Sequence, residues 1–189
     1  SLLWDRDIND RSDRGHVDVP RLADGNVALQ LFSSVTKTPK NQNYDSNSDQ
    51  TDNITLLTIV QLQPPRTWGS LLERSLYHAQ KLHVAVGAAK GDLVAIDEAE
   101  QIDALIQNRQ GNNRPVGAML TIEGLHILEG NAENLERLYV AGFRMAGLTH
   151  FFDNELGGSM HGTRKGGLTP FGRDIVQRLR RRVAIARGV

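Results

Sequence analysis

The sequence contains no cysteine, few aromatic residues and no excess of charge of either sign. Without cysteine the chain forms no disulfide bond and no zinc site built from thiolates, and any redox compartment suits it. Basic and acidic residues are equally numerous, at 22 each, so the net charge gives no reason to expect nucleic acid or an anionic membrane as a partner. No segment approaches the roughly 18 consecutive apolar residues that a membrane span requires. We therefore expect a soluble chain with no nucleic-acid partner and no membrane span.

The length allows one substantial hydrophobic core. A chain of 189 residues with 39% hydrophobic and 23% charged residues has the composition of an ordinary globular protein. We expect a single domain over residues 1–189. The chain starts at Ser1 without the basic and apolar regions of a signal peptide, and the sequence leaves the compartment open between cytoplasm and periplasm.

His16 and Asp18, two residues apart, form the first candidate metal-binding pattern. If this segment is a strand, the two side chains project from the same face and can bind one cation. Imidazole and carboxylate suit Zn²⁺ and its first-row neighbours, and zinc in a chain without thiolates is expected to be catalytic rather than structural. The other interpretation is a solvated polar loop ahead of Pro20, because an isolated pattern of this kind is common.

Strand-like apolar runs alternate with helix-like runs along the chain, and there is no internal repeat. Pro64 and Pro65 are expected to interrupt the longest helix, while Thr169 and Pro170 supply the N-cap and first turn of the last one. The predicted strands cover 26–35, 93–96, 116–122 and 143–149, the predicted helices cover 53–86, 97–108, 132–141 and 170–181, and a polar loop covers 36–52. Successive βα units favour an α/β fold with a parallel barrel over a sandwich.

Two ionisable side chains follow predicted strands. The run 116–122 is almost continuously apolar, as expected of a parallel strand buried on both faces, and Glu123 comes directly after it. His150 comes directly after the next predicted strand. Ligands of parallel barrels bind at the carboxyl ends of the strands, so both side chains are candidates for catalysis. The alternatives are a surface carboxylate for Glu123 and a neutral structural histidine for His150.

Four segments together resemble the membrane dipeptidase family, also called renal dipeptidase or peptidase M19. They are RGHVDVPRL, TIEGLH, LYVAGFRMAGLTHFFDN and GGLTPFGRDIVQRL, and they occur in the family's order between about Leu2 and Leu179. The resemblance implies an α/β fold of the (β/α)₈ TIM-barrel family, of which this chain would be an incomplete N-terminal portion. It also implies a two-zinc metallopeptidase that hydrolyses the peptide bond of dipeptides through a metal-activated water.

The resemblance assigns roles to individual residues. His16 and Asp18 match the family's ligands of one zinc, and Glu123 matches the carboxylate that bridges both zincs and takes part in catalysis. His150 matches the histidine near the substrate, where it is expected to bind the peptide and to polarise it or its intermediate. Asn154 is a candidate substrate-binding residue in the loop that follows, with turn formation as the alternative. His126 is expected either to orient a ligand or to form a loop hydrogen bond.

The sequence departs from the family pattern after Leu179. Further strands with two histidine ligands and a basic residue for the substrate carboxylate are expected there, whereas the chain continues with three arginines and ends at Val189. A barrel of this type needs about 250 residues. The alternative to a zinc dipeptidase is therefore a truncated, non-catalytic remnant that binds at most one metal ion and self-associates into a homo-oligomer. A metal-dependent lactonase or phosphoesterase is a third hypothesis, although such barrels commonly begin with two histidines in this pattern.

Overall fold

The computed structural model describes residues 6–111 and 113–186, in which four parallel strands form an open sheet surrounded by helices. The strands are β1 (Leu29–Ser34), β2 (Leu93–Ala95), β3 (Val116–Glu123) and β4 (Phe143–Gly147). The helices are α1 (Val19–Asp24), α2 (Ile54–Val60), α3 (Arg66–Gly69), α4 (Leu71–Ala88), α5 (Ala99–Asn108), α6 (Asn134–Val140) and α7 (Pro170–Ala186), with a 3₁₀ turn over Leu125–Leu128. This confirms the predicted α/β class and the alternation of strands and helices.

Strand β3 is the centre of the sheet and pairs in parallel with the other three strands. Strand β1 lies along one edge of β3, from Leu29 opposite Gly117 to Ser34 opposite Ile122. Because that edge is occupied, β2 and β4 follow one another along the opposite edge, with a register irregularity between Leu120 and Thr121. Most of β3 is buried, which explains its continuous apolar sequence.

The helices cover the faces of the sheet with their apolar sides. The core contains residues from α4, α5, α6 and α7 packed against β3, among them Leu72, Leu105, Leu138 and Ile175. Helix α7 begins as predicted, because the hydroxyl oxygen of Thr169 accepts a hydrogen bond from the backbone N–H of Gly172 at 2.9 Å. It continues to Ala186 and is five residues longer than predicted. None of the helices within the described part of the chain is long and apolar enough to span a membrane.

A buried arginine fixes the long loop that follows β1. Arg74 on α4 is 2% exposed, and its guanidinium donates hydrogen bonds to the carbonyl oxygen of Thr36 and to the carboxylate of Asp52, both at 2.8 Å. The same group binds the carbonyl oxygens of Thr67 and Trp68. A buried charge is tolerated only when it is paired and hydrogen-bonded in this way. The predicted loop 36–52 is therefore attached to α4 at both of its ends.

Candidate active site at the carboxyl end of the sheet

Glu123 and His150 lie together at the carboxyl ends of β3 and β4. Glu123 is the last residue of β3, and His150 follows the end of β4 by three residues. The imidazole Nε2 of His150 lies 3.2 Å from the carboxylate Oε2 of Glu123, with 27% and 42% of the respective side chains exposed. The structure therefore brings together the two residues expected at strand ends, in a place that solvent and a small ligand can reach.

Gly124 allows the chain to turn sharply after Glu123. Its φ is +96°, a conformation that side chains other than hydrogen rarely allow. A Cβ atom here would lie 2.5 Å from Nδ1 of His126 and 3.3 Å from Cβ of His150. The turn thus places the His126 ring directly against the backbone that carries Glu123.

His126 is a buried, neutral histidine beneath this turn. It is 3% exposed, and its Nε2 lies 3.3 Å from the hydroxyl of Thr36, while Nδ1 has no hydrogen-bond partner among the described residues. Burial lowers the pKa of His126 to about 4, assisted by the positive charges of Lys37 and His150 and opposed by Asp52. The loop hydrogen bond expected from the sequence is present, in the form of the contact with Thr36.

The loop after His150 is held in place by two buried polar side chains. The side-chain oxygen of Asn154 accepts hydrogen bonds from the backbone N–H groups of Leu156 and Gly157, and its amide donates to the carbonyl oxygen of Leu148 at 2.8 Å. Asp153 accepts from the N–H groups of Ser159 and Arg164 at 2.8 and 2.7 Å. Asn154 thus forms the turn that was one of its two expected roles, and its binding of substrate stays a prediction.

An aromatic stack joins this loop to the loop after β1. The Phe151 ring lies edge-on to His150 and stacks on His161 at a centroid distance of 4.9 Å. His161 Nδ1 lies 2.7 Å from the carbonyl oxygen of Tyr44, and the backbone N–H of Asn47 donates to the carbonyl oxygen of His161. This role of His161 could not be predicted from the sequence, because His161 lies in a glycine-rich segment that indicates only flexibility.

The segment that carries His16 and Asp18 is a loop leading into α1 rather than a strand. His16 is exposed. Asp18 is fully buried and forms the N-cap of α1, since its carboxylate accepts hydrogen bonds from the backbone N–H groups of Arg21 and Ser12 and pairs with the Arg21 guanidinium. Burial alone would raise the pKa of Asp18, but these hydrogen bonds and the charges of Arg21 and Arg11 lower it.

The described residues do not fit a metal ion as they stand. Across residues 6–111 and 113–186, no three histidine, aspartate or glutamate side chains form a group that could hold one. The carboxylate of Asp18 is occupied by Arg21 and by backbone N–H groups, and Glu123 contacts His150. The assignment of His16, Asp18 and Glu123 as zinc ligands therefore stays a prediction.

Two cavities lie near the sheet. The larger one, of about 750 Å³, lies between β1 and α4 and is lined by Phe32, Ser34 and His78, but neither Glu123 nor His150 lines it. His78 Nδ1 is 2.8 Å from the hydroxyl of Ser34, and burial lowers the pKa of His78 to about 4, assisted by the charges of Lys81 and Arg74. The smaller one, of about 170 Å³, is lined by His126 and Asn154 and lies on the side of the candidate site.

Almost the whole chain matches the sequence pattern of one known protein family. The sequence pattern of the membrane dipeptidases, peptidase family M19, matches residues 2–185. The chain belongs to this family. An uncharacterized dipeptidase of Schizosaccharomyces pombe is 29% identical over 169 residues, which are 88% of this chain and 37% of that protein. The family resemblance seen in the sequence is confirmed.

Solved structures show the same fold over part of their length. A metallopeptidase named dipeptidase AC, of family M19, is 18% identical with a TM-score of 0.64, covering 89% of this chain and 45% of its own. A metallopeptidase of Rhodobacter sphaeroides, solved with a phosphinate mimic of the dipeptide L-Ala-D-Ala, is 19% identical with a TM-score of 0.63, covering 90% and 48%. The chain therefore spans less than half the length of these proteins, and its sheet corresponds to part of the family's barrel.

Proposed function

We propose that this chain carries part of the active site of a dipeptidase, an enzyme that hydrolyses the peptide bond of dipeptides. The proposal is supported by membership of the membrane dipeptidase family and by a relative that binds a dipeptide mimic. The single observation that carries it is the contact between Glu123 and His150 at 3.2 Å, at the edge of a parallel sheet where ligands of such folds bind.

The pair can supply part of the chemistry that peptide hydrolysis requires. In this reaction a water molecule loses a proton as its oxygen bonds to the carbonyl carbon, the carbonyl oxygen gains negative charge, and the carbon–nitrogen bond breaks as the leaving amine takes up a proton. When both ring nitrogens of His150 carry a proton, Nε2–H can bind the Glu123 carboxylate, which would orient the ring, and Nδ1–H can donate a hydrogen bond to the oxygen that gains charge. Removing one such donor typically lowers the rate by about 10²–10³.

We also propose that the hydrolysis depends on zinc. Under this proposal, His16, Asp18 and Glu123 would be the ligands, and the protein would load at most one ion with these three residues. We assign no step of the reaction to the metal, because the described residues do not bring these side chains together. Asn154 would contribute to substrate binding indirectly, by holding the conformation of its loop, because its side chain is hydrogen-bonded to the backbone.

The direct test is hydrolysis of L-Ala-L-Ala and L-Ala-D-Ala by the chain dialysed against zinc. We expect turnover that falls by about 10²–10³ in His150→Gln and also falls in Glu123→Gln. His83→Gln is a matched control, because His83 is exposed on α4 and its ring lies next to Ala141 and Gly142, away from Glu123 and His150 in the sequence of elements. Equal activity of His150→Gln and the parent chain would contradict the assignment.

A non-catalytic chain that self-associates is the second candidate. The non-catalytic part is supported by the described residues, in which no three side chains form a group that could hold a metal ion. Self-association is supported by β1, whose outer edge pairs with no other strand of the described chain. Leu29 and Leu31 on this strand are 38% and 41% exposed. Sedimentation and zinc-binding measurements separate the candidates. Oligomers that bind one zinc or none, without turnover, would favour this second function over the first.

A further inference from the structure

An exposed tyrosine lies at the edge of the candidate active site. Tyr44, in the loop after β1, is 79% exposed, and its ring nevertheless contacts the rings of Phe151 and His161. The centroid of the Phe151 ring lies 6.1 Å from that of Tyr44 and 4.8 Å from that of His150. The rings of His150, Phe151 and Tyr44 therefore form a continuous row that leads outwards from the candidate catalytic histidine.

Hydrogen bonds hold the backbone that carries the Tyr44 ring. Nδ1 of His161 lies 2.7 Å from the carbonyl oxygen of Tyr44, and because a carbonyl oxygen only accepts, Nδ1 is the donor. Asn47 is 3% exposed, and its backbone N–H and side-chain amide both donate to the carbonyl oxygen of His161, at 2.8 and 2.9 Å. The loop after β1 is thus fixed to the loop after β4 at Tyr44 and at Asn47.

Ring contacts fix the Tyr44 side chain itself. The ring packs edge-on against His161 at a centroid distance of 5.6 Å and is tilted by 57° from the plane of Phe151. A single exposed aromatic side chain on a protein surface needs no explanation, but this one is ordered and lies beside a histidine at a strand end. An ordered ring loses little conformational entropy when a ligand covers it, so its apolar surface is prepared for binding.

The spacing of the row suits a ligand of the size of a dipeptide. Two extended residues span about 7 Å, and a phenyl side chain reaches further. The distances from His150 to Phe151 and from Phe151 to Tyr44 are each shorter than this span. A dipeptide whose peptide bond lies at His150 can therefore place one of its side chains against Phe151 and Tyr44.

We propose that Tyr44 and Phe151 form a binding surface for the aromatic side chain of a dipeptide. The proposal rests on the proposed dipeptidase function, and it makes Tyr44 a residue that determines specificity. Aromatic rings attract one another in edge-on and offset arrangements, in addition to the gain from burying apolar area. An aliphatic side chain gains only from burial, and glycine gains neither, so the surface favours phenylalanine over leucine and leucine over glycine.

The test measures the binding of dipeptides to the full chain by NMR, through the ring resonances of Phe151 and His161. Gly-Phe and Phe-Gly carry the aromatic ring on either residue, Gly-Leu and Leu-Gly carry an aliphatic side chain, and Gly-Gly carries neither. We expect at least one of the aromatic peptides to bind about tenfold more tightly than Gly-Gly, and more tightly than its leucine counterpart. The peptide that binds more tightly identifies which residue of the dipeptide is recognised, and its own signals show whether it stays intact.

Variants at Tyr44 separate recognition of the side chain from support of the loop. Tyr44→Ala should abolish the preference for the aromatic peptide over Gly-Gly, and Tyr44→Phe should keep it, because only the second variant retains the ring. Lys40→Ala is the matched control, since Lys40 is exposed in the same loop and its hydrogen bond to Thr51 comes from the backbone N–H. If Tyr44 served only the loop, Tyr44→Ala would weaken the binding of all peptides by the same factor, which would overturn the proposal.

Other outcomes decide between this proposal and the dipeptidase function. No binding, equal binding of all five peptides, or leucine peptides that bind as tightly as their phenylalanine counterparts would each overturn the aromatic surface. Because binding is measured without turnover, a chain that shows the preference dependent on Tyr44 but hydrolyses no peptide contradicts the dipeptidase function alone. A chain that binds and hydrolyses all five peptides equally well supports that function and overturns the aromatic surface.

Discussion

Mild acid should destabilise this protein through its buried histidines. Protonating His126 in the folded state places a charge among Phe152, Thr36 and Lys37, whereas the unfolded chain protonates it freely. The folded pKa of about 4 lies below the ordinary value of 6.5, so the unfolded state binds the proton more tightly. The stability that the neutral ring contributes is therefore complete well above pH 6.5 and is lost as the pH falls towards 4.

The size of the effect follows from the two pKa values of His126. Between pH 7 and pH 5, the shift from 6.5 to about 4 corresponds to a loss of about 2 kcal/mol in the free energy of unfolding. The carboxylates of Asp18, Asp52 and Asp153 have pKa values lowered from 3.8, so they are ionised in both states over this range. The stability that these ionised carboxylates contribute is lost only below this pH range. The loss between pH 7 and pH 5 therefore reports on the histidines and not on the carboxylates.

Urea unfolding followed by circular dichroism at pH 7 and pH 5 measures this loss. The variant His126→Gln does not titrate, so its loss over the same range should be smaller than that of the parent chain by about 2 kcal/mol. His78→Gln should reduce the loss in the same direction, because burial also lowers the pKa of His78 to about 4. If His126→Gln and the parent lose equal stability between pH 7 and pH 5, the neutral buried state inferred for His126 is wrong.

Two further predictions concern the scaffold. Arg74→Met should lower the free energy of unfolding by about 3–5 kcal/mol, because it leaves Asp52 without its buried partner, whereas Arg66→Met at an exposed ion pair should change it by less than about 1 kcal/mol. Urea unfolding measures both, and equal effects would refute the role given to Arg74. Gly172→Ala should prevent α7 from docking, because its Cβ would lie 1.9 Å from the carbonyl oxygen of Leu156, and circular dichroism should show the lost helix.

The sequence predicted the elements whose signal is local. Strand β3 is a continuous apolar run, and α7 begins with Thr169 and Pro170, so periodicity and capping suffice to place both. Strand β4 ends at Gly147, earlier than predicted, because the segment up to His150 turns across the end of the sheet. The helix predicted over 53–86 is divided into α2, α3 and α4 around Pro64 and Pro65, as the prolines indicated.

The site was predictable only where residues follow strands. Glu123 and His150 lie at the carboxyl ends of strands that the sequence makes recognisable. Parallel strands end at a common edge of the sheet, so the two side chains could be expected to lie close together. The positions of His16 and Asp18 could not be predicted from their two-residue spacing. Asp18 caps α1 and pairs with Arg21, and both contacts depend on the conformation of the loop before the helix.

The central position of β3 has a consequence for how the chain folds. Leu93 pairs with Val116 and Leu120 with Phe143, each 23 residues apart, whereas Leu29 pairs with Gly117 across 88 residues. Closing a longer loop costs more conformational entropy, and such distant pairings slow folding. We therefore expect β2, β3 and β4 to form an early nucleus during folding. Strand β1 and the loop that follows it should pack against this nucleus last.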